Sequence, residues 1–347
     1  MTTVSAPPWL RLRSPEDVLA ATPYFLGFHP TDSLVVLGLT GTELKFYLRG
    51  DLPPIDASPQ LLIEFGNQYC DLMQEQGIDA VVLVGYGTEP MVTPAVTAVQ
   101  REMRQRQIRI RDVLRTADGR YWSYLCESPT CCPPEGTPYE VSNTVVAAMA
   151  TVAGCVAMPD RDAVVRGLDP PVGPALVAIQ HATERATSRL VSIFDRADDK
   201  TDLLAAGRQA FTDALERYRG AGRLSDDDLA WLCVLMEIGR VRDVPWRGAD
   251  AADREERAVH VRLWTDVLHR CDPDYAAQPG ALLSYLLWRS GDGIRAAVAV
   301  ERALDADPGH TSAQIMSEIL RQGVPPSVID RLHRGPAREH ARRRRRR

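Results

Sequence analysis

Two apolar patterns divide the chain. Up to about residue 140, short continuous apolar runs alternate with stretches of helical spacing; after Ser142 helical spacing is nearly unbroken. Leu34–Leu39 (LVVLGL) and Ala80–Val84 (AVVLV) predict strands covered on both faces. Thr40-Gly41-Thr42 predicts a turn, and Leu44–Leu48 returns as the second arm of a hairpin. Ser14-Pro15-Glu16-Asp17 opens a helix, since Ser caps free N–H groups, Pro fits the first turn and acids favour the positive end of the dipole. It is expected to end near Pro23, with Gly27 turning the chain. Pro59–Gln76 carries Leu61, Leu62, Phe65, Tyr69, Leu72 and Met73 at helical spacing, and Gly77 stops it. Val92–Gln107 predicts another helix, capped by Thr93 with Pro94 at its first position. Ile108–Leu114 alternates as a strand near an edge would, and Asp118-Gly119 predicts a tight hairpin returning along Tyr121–Cys126. The order ββαβαββ implies a mixed sheet with helices on its faces.

Helices are expected near 174–195, 202–219, 226–239 and 251–269. Ser225 followed by three Asp is a strong helix start. Between Gly280 and Pro308, Leu283, Ser284 and Leu287 are followed by Ala296, Val300, Ala303 and Pro308, a spacing similar to one tetratricopeptide-type helix pair. Gly280 stands where that motif has a bulky aromatic. One pair cannot bury its own face, so it reads as one layer of a helical domain. The expected fold class is therefore an α/β N-terminal domain with a mixed, mostly buried sheet over 1–140, followed by an all-α domain over 141–330 containing the tetratricopeptide-like pair. Residues 331–347 are expected to form a disordered Arg-rich tail.

Charge sharpens this picture. The net charge is −5, but the last seventeen residues hold nine Arg and one Glu, which leaves −13 on residues 1–330. An acidic body excludes a general nucleic-acid binder and leaves only non-specific phosphate contacts by the tail. The uncharged run Val141–Pro159 is mostly Ala and Val with interspersed polar residues, and reads as a buried helix rather than a membrane span. No basic start followed by an apolar run opens the chain, and seven cysteines, an odd number, do not suggest a disulfide framework. The expectation is a cytoplasmic protein with no membrane contact.

The sharpest local chemistry is Cys126-Glu127-Ser128-Pro129-Thr130-Cys131-Cys132. A metal site needs thiolates that converge with a fourth ligand, and the adjacent Cys131 and Cys132 are expected to point apart. No metal is assigned; the three are candidate thiols, and small buried residues of a Pro-rich loop are the favoured reading. His29, Asp32 and Ser33 supply the residue types of a hydrolase triad within five positions, but without the Gly-x-Ser-x-Gly elbow. The plainer reading is an Asx-type loop set by His29-Pro30. Gly85-Tyr86-Gly87 lies between a strand and a helix, yet lacks the third Gly of a dinucleotide loop. His29, Asp32, Ser33, Gly85 and Gly87 are together candidate ligand-loop residues, since strand ends are where α/β sheets bind ligands.

The pieces LGFHPTDSLVVLGL, RDVLRTADGRYWSYLCESPTCCPPEGTPYE, VRD at Val241–Asp243, LLSYLLWRSGDGIRAAVAVERALDADP and GVPP together resemble the actinobacterial family known as domain of unknown function 4192. The resemblance implies a cytoplasmic bacterial protein of the same architecture. It implies no activity, substrate, cofactor or catalytic residue.

Three functions stay open on these grounds. The first is a non-enzymatic interaction or regulatory module, with a small-ligand site on the α/β domain and a protein partner on the helical one. The second is a hydrolase or transferase using the His29–Ser33 loop with the Cys126–Cys132 segment, which requires His29, Asp32 and Cys126 to share one pocket. The third is a thiol or zinc sensor. No cofactor is specified by the sequence.

Overall fold

The computed structural model describes residues 13–141, 144–152, 157–196, 201–220, 222–326 and 328–329. The expected tail over 331–347 lies outside the described residues. The chain divides into two compact units, Met1–Ala163 with Gln322–Arg347, and Val164–Arg321.

The first unit opens with α1 (Pro15–Leu26), whose Ser14 side chain accepts the Asp17 N–H. Pro23 does not end this helix; it sits inside it, and Gly27 terminates it at φ 77°. That left-handed conformation is where glycine avoids the Cβ penalty. β1 (Ser33–Thr40) and β2 (Glu43–Asp51) form the expected hairpin, followed by α2 (Pro59–Glu75), β3 (Ala80–Tyr86), α3 (Glu89–Gln105), β4 (Arg109–Ala117), β5 (Arg120–Ser123) and the short β6 (Thr137–Pro138). α3 starts a turn earlier than expected, with Thr88 at its N-cap and Pro94 inside it. The early start brings Val92 onto the sheet, where a Cβ at Gly85 would meet Val92 Cγ1 at 2.2 Å. Gly85 is thus a glycine of close helix–strand packing.

The six strands lie in the order β2-β1-β3-β4-β5-β6. Only β3 and β4 run parallel; β1 is antiparallel to both its neighbours, pairing Leu37 with Tyr47 on β2 and with Val82 on β3. All seven positions of β3 are buried, as its unbroken apolar run requires. One sheet face carries Leu34, Val36, Phe46, Leu83 and Val113 against Tyr69, Met73, Val96 and Met103 of α2 and α3. The opposite face is covered by α1, where Phe25 stacks on Tyr47. α4 (Val145–Val152) packs beside it through Val146 against Ala20 and Ala21. The helix expected in the Val141–Pro159 run is therefore part of this unit. Gln76 donates to the Gly323 carbonyl at 2.8 Å, which ties the segment after the helical unit to this one.

The second unit is helical: α5 (Arg161–Arg166) enters it, and α6 (Pro174–Arg196), α7 (Thr201–Arg219), α8 (Asp226–Met236), α9 (Gly239–Ala251), α10 (Arg254–Arg270), α11 (Ala277–Arg289), α12 (Gly293–Ala306) and α13 (Thr311–Arg321) follow. α9 has no counterpart in the sequence reading, because Gly239, Pro245 and Gly248 weaken its helical signal. Trp264, Trp288, Leu263, Leu282 and Leu286 are fully buried at the centre of the unit. The α11–α12 pair explains Gly280: a Cβ there would lie 2.8 Å from the Ala299 carbonyl and 2.9 Å from Ala303 Cβ. The two helices approach too closely for the aromatic that a tetratricopeptide repeat would place at this position. Among the described residues, no helix is long and apolar enough to cross a membrane.

Candidate functional site

The parallel pair β3–β4 determines where the first unit has a cleft. Both strands end at the same edge of the sheet, and β1, running the other way, begins there. A cleft of about 400 Å³ opens at this edge. Its walls come from the α1–β1 loop (His29, Pro30, Thr31, Asp32), the β3–α3 turn (Tyr86, Gly87, Thr88) and the β4–β5 turn (Thr116 to Gly119). Leu19 and Pro23 of α1 line its apolar side, beside Tyr139 and Val141.

The backbone around this cleft is unusually shaped. Asp32 has φ 42° and Asp118 φ 50°, two of the three non-glycine residues with positive φ among the described residues, and Gly87 has φ 139°. Asp tolerates the left-handed region because its short polar side chain bonds locally. Each loop is pinned. The Asp32 carbonyl accepts from Leu52 N–H and the Thr116 carbonyl from Gly87 N–H, both at 3.0 Å. His29 N–H donates to the Met158 carbonyl at 3.0 Å. The His29 and Asp32 side chains are exposed.

Two tyrosines occupy the inner wall. Tyr139 shares a 2.7 Å hydrogen bond with the Thr116 hydroxyl, and burial raises its phenol above the ordinary value. Tyr86 is more deeply buried, and desolvation pushes its phenol up as well. Its hydroxyl lies near Thr22 Oγ1 without closing a regular hydrogen bond, while that threonine hydroxyl donates to the Val18 carbonyl at 2.7 Å. A buried polar atom left in this state costs free energy unless something else satisfies it. No Arg or Lys lines the cleft, whereas Asp32 and Asp118 both do.

Of the candidate ligand-loop residues, His29, Asp32 and Gly87 come together here. Gly85 lies under Val92 on the other sheet face. Ser33, register partner of Tyr86, is fully buried and is not among the lining side chains, so the triad reading has no nucleophile in the cleft. Tyr86, Thr116, Asp118 and Tyr139 escaped the sequence reading because only strand register gathers them; Asp118-Gly119 was legible as a turn, not as a wall.

Cys126, Cys131 and Cys132 form a second, separate cluster. Ser123 Oγ accepts the Cys126 N–H at 3.2 Å and lies 3.4 Å from Asp112, so the cluster belongs to the Asp112 end of the β4–β5 ladder. The cleft is at the Ala117 end, and none of the three cysteines lines it. The pocket shared by His29, Asp32 and Cys126 that the hydrolase or transferase reading requires does not form. The expected divergence of Cys131 and Cys132 is not found either: the three Sγ atoms lie within 4.8 Å of one another. The ordering Ser128 carbonyl turns both side chains back, accepting from Cys131 N–H at 3.3 Å and Cys132 N–H at 2.9 Å. Hydrogen bonds from Cys131 and Cys132 hold the Cys126 thiol below its ordinary value.

The molecule is thus a mixed-sheet α/β unit with a strand-end cleft and a surface thiol cluster, joined in one chain to a helical unit. The model of the family described as domain of unknown function (DUF4192) matches residues 15–327, and the chain belongs to that family. No curated protein and no solved structure matches the chain.

Proposed function

We propose that the α/β unit is a non-catalytic receptor for a small ligand rich in hydrogen-bond donors, an amine or a polyol. The observation that carries this reading is the donor–acceptor balance of the cleft. It offers the carboxylates of Asp32 and Asp118 and the hydroxyls of Thr31, Thr88 and Thr116, with the His29 imidazole but no Arg or Lys to meet a phosphate. Its position fits the rule that open α/β sheets take ligands beyond the carboxyl ends of their parallel strands. Its size falls within the usual range for small-molecule sites.

The test is calorimetric titration of the full chain with putrescine, myo-inositol and inorganic phosphate. The reading expects binding by the amine or the polyol, none by phosphate, and a roughly tenfold loss in Asp32→Asn, a substitution that keeps a residue tolerant of φ 42°. Phosphate binding, or amine and polyol binding indifferent to Asp32, would overturn it.

In the same reading the helical unit engages a protein partner. The support is α6, where Val177, Val191 and Phe194 are each about half exposed. They fall within an arc of roughly 100° on a helix of 3.6 residues per turn, away from the buried Ile179, Ala182 and Ala186. Native-lysate capture should recover a stoichiometric partner that Val191→Asp/Phe194→Asp loses; the same recovery from both proteins would rule α6 out.

A further inference from the structure

The thiol cluster rests on a loop that the sheet holds at both ends. At its start Ser123 Oγ accepts the N–H groups of Leu125 and Cys126, each at 3.2 Å. At its end Trp122 Nε1 donates to the Pro134 carbonyl at 2.9 Å, and Arg120 to the Gly136 carbonyl at 2.8 Å. Gly136 has φ 82°, and a Cβ on it would meet the Trp122 ring at 2.5 Å. Between these anchors the Ser128 turn doubles the chain back, and Thr137 Oγ1 donates to the Cys131 carbonyl at 3.4 Å. Such a loop fixes where the thiols point before anything binds.

The Sγ atoms of Cys126 and Cys131 are 2.9 Å apart, and those of Cys131 and Cys132 are 3.8 Å apart. Around a tetrahedral thiolate-bound zinc, with Zn–S bonds of about 2.3 Å, neighbouring sulfurs lie about 3.8 Å apart. The three thiols therefore converge closely enough to share one ion: the Cys131–Cys132 edge matches the tetrahedral spacing, and the Cys126–Cys131 edge would open by about 0.9 Å to reach it. A Cys126–Cys131 disulfide would use two of the thiols and leave Cys132 outside the bond, whereas one ion can take all three. Among the described residues no fourth His, Cys, Asp or Glu joins the group. Cys131 is exposed and the other two are half-buried, which leaves room for a fourth ligand from solvent.

We infer that Cys126, Cys131 and Cys132 form a zinc site with three protein thiolates and an exchangeable fourth ligand. Binding forms three Zn–S bonds and releases the remaining thiol protons to solvent; no electron moves. The site is independent of the cleft and of the ligand proposed for it. Zinc would close the loop from Cys126 to Cys132, and the open fourth position would let a small thiol or a partner's side chain reach the ion, a ligand pattern of three protein donors plus one exchangeable group.

The experiment is metal analysis of the full chain purified under reducing, chelator-free conditions, followed by replacement of the metal with cobalt(II). One zinc per chain is expected. The cobalt form should show intense thiolate-to-metal charge transfer and the visible bands of a tetrahedral ion. Cys126→Ser, Cys131→Ser and Cys132→Ser should each weaken cobalt binding by roughly a hundredfold and reduce the charge-transfer intensity. Cys70→Ala, which changes a buried thiol on α2, should bind as wild type. Far-ultraviolet circular dichroism of each Ser variant verifies that it folds, and Gly136→Ala gives a thiol-preserving variant whose affinity should also fall. Absence of zinc together with an octahedral cobalt spectrum would overturn the proposal, as would a Cys126–Cys131 disulfide in the reduced preparation or binding indifferent to all three Ser variants.

Discussion

The Asp32 carboxylate lies over Gly87: a Cβ built on Gly87 would stand 3.4 Å from Asp32 Oδ1. The loop that leads into β1 and the turn that follows β3, neighbours at the same edge of the sheet, thus meet at one wall of the cleft. Gly87 also has φ 139°, a conformation that side-chain-bearing residues rarely adopt. Gly87→Ala is therefore expected to destabilise the protein by about 1–3 kcal/mol, a strained-backbone cost. Urea titration followed by far-ultraviolet circular dichroism measures it; an unchanged midpoint would contradict the assigned geometry.

Tyr86 and Thr116 are neighbours across the β3–β4 ladder but should respond in opposite ways. Tyr86 has no regular hydrogen-bond partner, so Tyr86→Phe removes an unsatisfied buried hydroxyl and should leave stability within about 0.5 kcal/mol of wild type, or raise it. Thr116→Val strips Tyr139 of its partner and should cost about 1–2 kcal/mol. Thermal melts of the two variants side by side decide this. Loss of putrescine or inositol affinity in the stable Tyr86→Phe protein would mark that hydroxyl as a ligand contact.

In the helical unit Asp266 accepts from Arg223 at 2.7 Å, from Arg270 at 2.8 Å and from the Tyr218 hydroxyl. Burial would raise its carboxyl, but these hydrogen bonds outweigh it and leave the group below its ordinary 3.8. Its stabilising contribution is therefore complete above about pH 4 and fades as pH falls through the depressed value. Asp266→Asn should cost about 2–3 kcal/mol at neutral pH, less than a fully buried pair because Arg223 reaches solvent. The urea midpoint read by tryptophan fluorescence is suited to this, since four of the six tryptophans lie in the helical unit.

His260 and His310 work in the opposite charge sense. Burial lowers both below the ordinary 6.5, and His310 Nδ1 accepts the Ala313 N–H at 3.2 Å, a bond available only to the neutral ring. The unfolded chain takes up protons below pH 6.5 that the folded chain refuses, so stability should fall as pH drops from about 7 towards 5. The limiting slope is about 1.4 kcal/mol per pH unit for each histidine. His310→Asn, which keeps a capping side chain, should remove part of that slope. Identical slopes in the two proteins would show that His310 does not contribute.

The sequence is legible where one element's neighbours make no difference. Ser14 and Ser225 cap helices through bonds within their own segments, and the apolar runs of β1 and β3 need cover on both faces whatever supplies it. Less was legible where local signals conflict, as in α9, whose Pro and Gly are outweighed by buried Val241 and Ala249. The same limit applied to Pro23 and Pro94, each read as a helix boundary and each held inside a helix by packing.

By itself the sequence determined an α/β half followed by a helical half, an acidic body, and two short stretches worth chemical attention, because periodicity, capping and charge act over a few residues. Only the tertiary structure decided that His29, Asp32 and Gly87 share a cleft with Tyr86, Thr116 and Tyr139, that Ser33 does not line it, and that three thiols form their own cluster at the other end of β4. Those outcomes depend on strand direction and register, which one-residue shifts would reverse, and on a turn at Ser128 that no pattern of apolar residues encodes.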